Sequence, residues 1–140
     1  MRIEIREMTM ADYDAMLALW KISEGIGLSN ADSRDNMTSY LQRNPGLSFV
    51  AYDGDQLVGT VLCGHDGRRG YLHHLAVSTS HRHQGIGRKL ANQALTMLQQ
   101  QGIEKCHLFV IKNNREALAF WKRVGWKKRV DLVLMSKTIK

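Results

Sequence analysis

The chain has 140 residues, 44% of them hydrophobic, which predicts one folded domain and excludes a disordered chain. Its formal net charge of +7 raises nucleic acid as a partner, but the basic residues are dispersed along the sequence, which argues against such an interface. No stretch approaches 18 apolar residues, and the alternating start does not resemble a signal peptide. We therefore expect a cytoplasmic protein with no membrane partner.

The two cysteines, Cys63 and Cys106, are isolated in the sequence, and no C-x-x-C pair is present. Such spacing does not support a metal or redox motif. We expect two buried free thiols, which fits a reducing compartment.

The first third of the chain predicts one strand and two helices. Ile3 and Ile5 alternate with charged residues, as in a strand, and Thr9 and Asp12 have capping-box spacing. A helix with one apolar stripe follows, and a second helix is predicted over about 32–43, before Pro45. The stripe consists of Tyr13, Met16, Leu17 and Trp20.

Three antiparallel strands are predicted next, over 48–52, 57–63 and 71–77, joined by glycine-containing turns. A helix over about 85–101, a strand over 106–111 and a helix over 114–124 follow. The pattern ends with a strand that includes Val130, Leu132 and Leu134. This order of elements is typical of an α/β (α+β) fold with a mixed sheet.

Residues 75–91, LAVSTSHRHQGIGRKLA, join a short apolar strand to an amphipathic helix through a basic turn with two glycines. Glycine lets backbone N–H groups turn toward a ligand, and a helix N-terminus carries about half a positive charge. Arg82, Gly85 and Gly87 therefore predict an anion cradle suited to a diphosphate. The spacing matches neither a Walker loop nor the G-x-G-x-x-G fingerprint of Rossmann folds. A strand-to-helix connection whose glycines only turn the chain is the alternative.

The motif R-x-x-G-x-G after Leu-Ala-Val resembles the acetyl-CoA pyrophosphate loop of the GNAT superfamily of N-acetyltransferases, in particular its small single-domain bacterial members. The stretch NNREALAFWKRVGW (113–126) resembles that family's second signature, an Asn-x-x-Ala helix that ends in a Gly-aromatic step. The resemblance implies a single GNAT domain over 1–140. Its central sheet would be mixed, mostly antiparallel and twisted, with helices on both faces and two strands splayed at the acetyl-CoA site.

The resemblance also implies which residues bind acetyl-CoA. The pantetheine arm would run along Leu75, Ala76 and Val77, and the Val77 N–H would be the oxyanion donor. Asn114 would contact the arm, or would only cap its helix, and Trp121 occupies a family position near the thioester. The pyrophosphate would contact Arg82, His83, Gln84, Gly85, Ile86, Gly87, Arg88 and, more weakly, Lys89.

Two catalytic groups of many family members are absent here. Trp121 stands where many family members have a tyrosine acid, so either no dedicated acid exists, or Tyr71 or another tyrosine replaces it. Tyr71 and Phe109 stand where a glutamate base is common. His73 is the candidate base, and strand alternation predicts that Tyr71, His73 and Leu75 share one face while His74 points oppositely. Glu24 is a second candidate.

We therefore expect transfer of an acetyl group from acetyl-CoA to an amine by direct attack in a ternary complex, without a metal or a covalent enzyme intermediate. The expected partners are acetyl-CoA and an amine acceptor, with a homodimer possible, and residues 24–32 are the expected acceptor-selecting loop. Two alternatives stay open at this point. One is a catalytically silent acyl-CoA sensor, and the other is a basic nucleic-acid-binding module.

Overall fold

The computed structural model describes residues 2–140. The described residues form five strands and four α-helices. The strands are β1 (Ile3–Glu7), β2 (Phe49–Asp53), β3 (Gln56–His65), β4 (Gly70–Val77) and β5 (Cys106–Leu108). The helices are α1 (Tyr13–Ile22), α2 (Arg34–Arg43), α3 (Ile86–Gln100) and α4 (Arg115–Arg123). Three short 3-10 helices span Met10–Asp12, Asn30–Asp32 and Thr79–His81.

Local capping explains where the first helices begin. The predicted capping box is confirmed, because the Thr9 N–H donates to Asp12 Oδ2 at 3.0 Å. A second box of the same kind was not predicted: the Ser29 N–H donates to Asp32 Oδ2, also at 3.0 Å. Ser33 then caps α2 by accepting from the backbone N–H of Asn36.

The five strands form one sheet in the order β1-β2-β3-β4-β5. The first four are antiparallel neighbours, and β5 pairs with β4 in parallel. The predicted mixed, mostly antiparallel sheet is therefore confirmed. The parallel step follows from the long crossover through α3, since a tight turn can join only antiparallel strands.

Helices cover both faces of this sheet. Thr60 of β3 faces α1, since its hydroxyl accepts a hydrogen bond from Trp20 Nε1 at 2.8 Å. The preceding residue, Gly59, faces the opposite side, where an added Cβ would lie 2.9 Å from Leu90 of α3. The core on the first side is one cluster of buried side chains from α1, α2 and the sheet. It includes Met16, Trp20, Met37, Val50, Leu62 and Ala76.

The chain forms two compact units, Met1–Phe109 and Val110–Lys140. The first unit holds the sheet, α1, α2 and α3. The second holds α4, whose N-cap is Asn114, and the residues that follow it. In the part of the chain that the structure describes, no helix has the length and apolarity needed to cross a membrane.

The predicted last strand is wrong. Residues 124–140 contain no strand, and Val130, Leu132 and Leu134 are 85%, 60% and 68% exposed. Alternating apolar residues favour a strand, but a strand also needs a neighbour to accept its backbone hydrogen bonds. No sheet pairing in the described residues involves this segment. The predicted strand over 106–111 is shorter, ending at Leu108.

Candidate functional site

The turn before α3 has the backbone geometry expected of an anion cradle. His83 and Gly85 both have positive φ, +63° and +81°, and Gly85 is the N-cap of α3. Because glycine has no side chain, no side-chain oxygen caps this helix. The first hydrogen bond within α3 is from the Lys89 N–H to the Gly85 carbonyl. The N–H groups that precede Lys89 in the first turn therefore have no acceptor within the helix and can donate to a ligand. The positive end of the 15-residue helix also favours a negatively charged ligand at this place.

Two side chains anchor this turn to the sheet. Arg82 Nε donates to the carbonyl oxygen of Val77, the last residue of β4, at 3.1 Å. His81, which is buried, places Nε2 at 2.9 Å from Oδ2 of Asp53 at the end of β2. The cradle and the end of β4 are therefore held in one arrangement.

The end of β4 has a free edge. Pairing with β5 ends at Leu72, opposite Leu108, whereas pairing with β3 continues to Val77. The Ser78 N–H donates to the Val58 carbonyl of β3 at 2.8 Å. Because successive N–H groups of a strand point to opposite edges, the Val77 N–H points away from β3. It points to the side where β5 no longer pairs.

A bulge in β4 overturns the predicted alternation at His74. Its φ is +48°, and the β3–β4 register shifts between Thr60 and Leu62. His73 lies opposite Leu62, a member of the core beneath α1, and His74 packs against Trp20 of α1. Both histidines therefore lie on the α1 side, and the expectation that His74 points oppositely is wrong.

The bulge also changes the face of Leu75. Ala76 belongs to the core beneath α1, so the adjacent Leu75 points to the other face. The predicted shared face holds for Tyr71 and His73, whose rings are stacked at 6.5 Å between centroids, but it does not extend to Leu75. The reason is the extra residue of the bulge, which shifts the two-residue period by one.

Aromatic rings surround His73. Tyr71 and Phe109 stack with each other at 6.2 Å, and Phe109 stacks with His73 at the same distance. Burial lowers the pKa of His73 below its ordinary value, the charge of His74 lowers it further, and Asp32 opposes this in part. His73 is therefore neutral at pH 7 and can accept a proton.

The remaining candidate residues are Glu24, Asn114 and Trp121. Glu24 is exposed in the turn after α1 and takes no part in the ion pairs of the described residues. Asn114 and Trp121 belong to the second unit. There Asn114 Oδ1 accepts from the Ala117 N–H at 3.0 Å, so the side chain acts as a helix cap. Trp121 packs edge-on against Phe120 and Trp126.

Neither cysteine has the features of a nucleophile. Cys63 is buried and Cys106 half-buried, and both are free. Burial raises the pKa of the Cys63 thiol to about 12 and that of Cys106 to about 11, which disfavours the reactive thiolate. Among residues 2–140, no group of three or more His, Cys, Asp or Glu side chains could hold a metal ion.

Sequence reasoning missed two pairs, His74 with Asp32 and His81 with Asp53. His74 Nε2 lies 2.8 Å from Asp32 Oδ1, across 42 positions of sequence. The capping-box spacing of Ser29 and Asp32 was a usable signal for a fixed Asp32. Nothing in the sequence marked the partner histidines, since each pair joins residues from distant parts of the chain.

Comparisons with known proteins agree with this geometry. The model of the acetyltransferase (GNAT) family matches residues 10–126. An acetyltransferase of Pectobacterium atrosepticum is 28% identical over 137 residues, which cover 98% of this chain and 96% of that protein. Solved structures that share the fold include the following two. The PaiA N-acetyltransferase of Thermoplasma acidophilum in complex with coenzyme A has a TM-score of 0.77, 21% identity and 91% coverage of both chains. AAC(6')-Iy in complex with the bisubstrate analogue CoA-S-monomethyl-acetylneamine has a TM-score of 0.78, 17% identity and coverage of 99% of this chain and 100% of that one.

The range matched by the family model includes the cradle before α3, the edge of β4 and four of the five strands of the mixed sheet. Because the family model matches far more than half of the residues, it establishes the family, whose members use acetyl-CoA as co-substrate. The chain belongs to the GNAT family and is an N-acetyltransferase.

Proposed function

We propose that the enzyme transfers the acetyl group to an amine by direct attack, with both substrates bound at once. The observation that carries the proposal is the position of Val77. Its N–H points to the unpaired edge of β4, and its carbonyl is tied to Arg82 at the start of the cradle. A diphosphate held by the α3 N-terminus would place the rest of acetyl-CoA beside this edge. A preorganised N–H facing the developing oxyanion is worth about 2.7–4 kcal/mol.

His73 is the proposed general base. It is neutral at pH 7, because burial lowers its pKa, and it lies four residues before Val77, the last residue of β4 that pairs with β3. A neutral imidazole can take the proton that the amine loses on attack, directly or through water. Glu24 remains a second proposed base, with its exposure as the argument against it.

No dedicated acid is needed for the leaving group. A thiol with an ordinary pKa near 8.5 departs as thiolate at neutral pH without a large penalty. Trp121 cannot donate a proton as a phenol does, and Tyr71 is the proposed alternative donor because it stacks on His73. A Tyr71→Phe variant tests this: an unchanged kcat supports departure without an acid.

The acceptor is proposed to be a weakly basic amine. An alkyl amine of pKa near 10.4 is neutral in about one part in 2,500 at pH 7, which costs about 4.6 kcal/mol, whereas an α-amine near 7.8 loses only about 1 kcal/mol. A general base with a lowered pKa suits the α-amine, because an α-amine needs less help to lose its proton. Asp32 is the carboxylate whose charge raises the pKa of His73. Its oxygens already accept hydrogen bonds from His74 and Ser29, so it is poorly placed to bind a polycationic acceptor as well.

Acetyl-CoA calorimetry and thiol release over a panel of amines test the proposal. The panel should include short peptides with free α-amines, spermidine and an aminoglycoside. We expect binding of acetyl-CoA and the highest kcat/KM with an α-amine. Binding without thiol release for any amine would favour the silent sensor, and a preference for the polycations would overturn the acceptor class.

Asn114 and Trp121 are proposed contacts of acetyl-CoA by resemblance to the family's second signature. Replacing Asn114 with Ser keeps an oxygen for the helix cap but shortens the side chain. A raised KM for acetyl-CoA with an unchanged melting temperature would support a binding role. A lowered melting temperature alone would indicate that Asn114 is only a cap.

A further inference from the structure

The two ends of one loop meet at a single residue of β4. The loop of residues 24–31, here called the acceptor loop, follows α1 and precedes Asp32. Before the loop, Trp20 packs edge-on against the His74 ring at 4.8 Å between centroids. After it, Asp32 Oδ1 lies 2.8 Å from His74 Nε2. His74 therefore contacts both anchors of the acceptor loop.

Both carboxylate oxygens of Asp32 are engaged in hydrogen bonds. It is 8% exposed, and its second oxygen, Oδ2, accepts from the Ser29 N–H within the loop. Its backbone carbonyl accepts from the Tyr13 hydroxyl of α1 at 2.7 Å. A buried carboxylate with both oxygens engaged fixes the backbone around it, because moving it would leave charge without a partner.

His74 is fixed from its backbone side as well. The Thr60 hydroxyl donates to the His74 carbonyl at 2.8 Å while it accepts from Trp20 Nε1 at the same distance. These contacts hold a non-glycine residue at φ +48°, a conformation that costs free energy and persists only where its surroundings impose it. His73, the proposed base, is the adjacent residue.

We propose that His74 and Asp32 form a positioning pair that holds the acceptor loop against the bulge of β4, next to His73. Resting on the proposed function, this pair sets how tightly the amine acceptor binds. It contacts neither the reacting atoms nor the cradle. Loss of the pair releases the loop and raises the acceptor KM, while affinity for acetyl-CoA is retained.

The chain contains a matched control for Asp32. Asp12 also ends a three-residue 3-10 helix, accepts from a capping N–H at 3.0 Å and uses its other oxygen to bind a ring group, the Tyr52 hydroxyl. Asp12→Ala thus removes corresponding contacts from a carboxylate whose own partners are Thr9 and Tyr52 rather than His74 and Ser29. His74→Gln is the conservative variant, since its amide nitrogen reaches about as far as Nε2.

The experiment compares Asp32→Asn, Asp32→Ala, His74→Ala, His74→Gln and Asp12→Ala by thiol-release kinetics, acetyl-CoA calorimetry and thermal melting. We expect the Asp32 variants and His74→Ala to raise the acceptor KM by roughly tenfold with affinity for acetyl-CoA unchanged. His74→Gln should restore most of the KM. Asp12→Ala should lower the melting temperature without changing the KM. An unchanged KM in folded Asp32→Asn and His74→Ala would overturn the proposal, as would an equal rise in Asp12→Ala.

A second measurement keeps the pair testable whatever the acceptor is. Glu24 is the glutamate of the loop, so cleavage after it by the protease Glu-C reports how often the loop opens. Cleavage should be several-fold faster in Asp32→Asn and His74→Ala than in wild type, and unchanged in Asp12→Ala. If no amine is acetylated, the proposed function fails, and unchanged cleavage in both variants would then refute the pair separately.

Discussion

His81 and Asp53 join the turn before α3 to the end of β2. His81 Nε2 lies 2.9 Å from Asp53 Oδ2, and the hydrogen bond from His81 is the main reason that the pKa of Asp53 lies below its ordinary value. His81 is also held on its other nitrogen, Nδ1, by the Ser80 hydroxyl at 2.8 Å. The residue that precedes Arg82 is thus fixed on both sides of its ring, which orients the cradle.

Asp53→Asn should weaken acetyl-CoA binding by about fivefold, because the turn loses a hydrogen bond to a charged group. Asp55→Asn, two residues further along the same hairpin, removes an equal charge from an exposed position and should leave binding unchanged. Since the pKa of Asp53 is lowered, the stability that its ionised carboxylate contributes is fully present above about pH 3.8 and is lost as the pH falls below that value. Calorimetry with both variants at pH 7 measures the effect. Equal weakening in the two would mean that net charge, not the pair, matters.

Gly85→Ala should weaken acetyl-CoA binding by about tenfold. A Cβ there meets nothing within 4 Å, so the cost comes from the φ of +81°, which disfavours any residue other than glycine by roughly 1–2 kcal/mol. The strain turns the first N–H groups of α3 away from the ligand. Gly46→Ala is the matched control, because Gly46 has a φ of +77° and equally open surroundings away from the cradle.

Both glycine variants should melt at lower temperature by similar amounts, and only Gly85→Ala should lose affinity. Thermal melts and calorimetry on the two proteins separate strain from binding. A Gly85→Ala protein that is strained but binds acetyl-CoA normally would show that the N–H groups at this turn do not hold the diphosphate.

His73→Gln should reduce kcat/KM by about 100-fold or more if His73 is the base. Ionisation of the acceptor affects wild type and variant equally, so it does not change the ratio of their kcat/KM values. Because the pKa of His73 is lowered, its neutral form persists below pH 6.5, and the ratio should fall only as the pH drops further. His107→Gln, which alters another imidazole beside Tyr71, should preserve the wild-type profile. A ratio that is independent of pH would remove His73 from the mechanism.

Tyr40→Phe should stabilise the protein by about 1 kcal/mol. The Tyr40 hydroxyl is buried and lacks a hydrogen-bond partner within residues 2–140, and burial raises its pKa above the ordinary value. Gly64→Ala should destabilise it, because the new Cβ would lie 2.7 Å from that hydroxyl and 2.8 Å from Asn44 Nδ2. Denaturant unfolding of the double variant tests the contact: Gly64→Ala should cost less in the Tyr40→Phe background. Strictly additive effects would contradict it.

The features that the sequence predicted depend on neighbours in the chain. Thr9 and Asp12 form their capping box within four residues, and the bounds of α3 differ from the prediction by one residue at each end. The turn at Gly85 was predictable for the same reason, since left-handed glycine and a helix start are local properties. Tyr71 and His73 share a face because the strand is regular up to that point.

By itself, then, the sequence determined the order of elements, the helix starts and the cradle, and together with the family resemblance it indicated acetyl-CoA. Only the tertiary structure decided that His74 turns to the α1 side and meets Asp32, and that residues 130–134 are not among the strands of the described part of the chain. The physical reason is the range of the forces involved. Caps and periodicity act over a few residues, whereas a bulge at φ +48° is imposed by Thr60 and Trp20, which folding brings from distant parts of the chain.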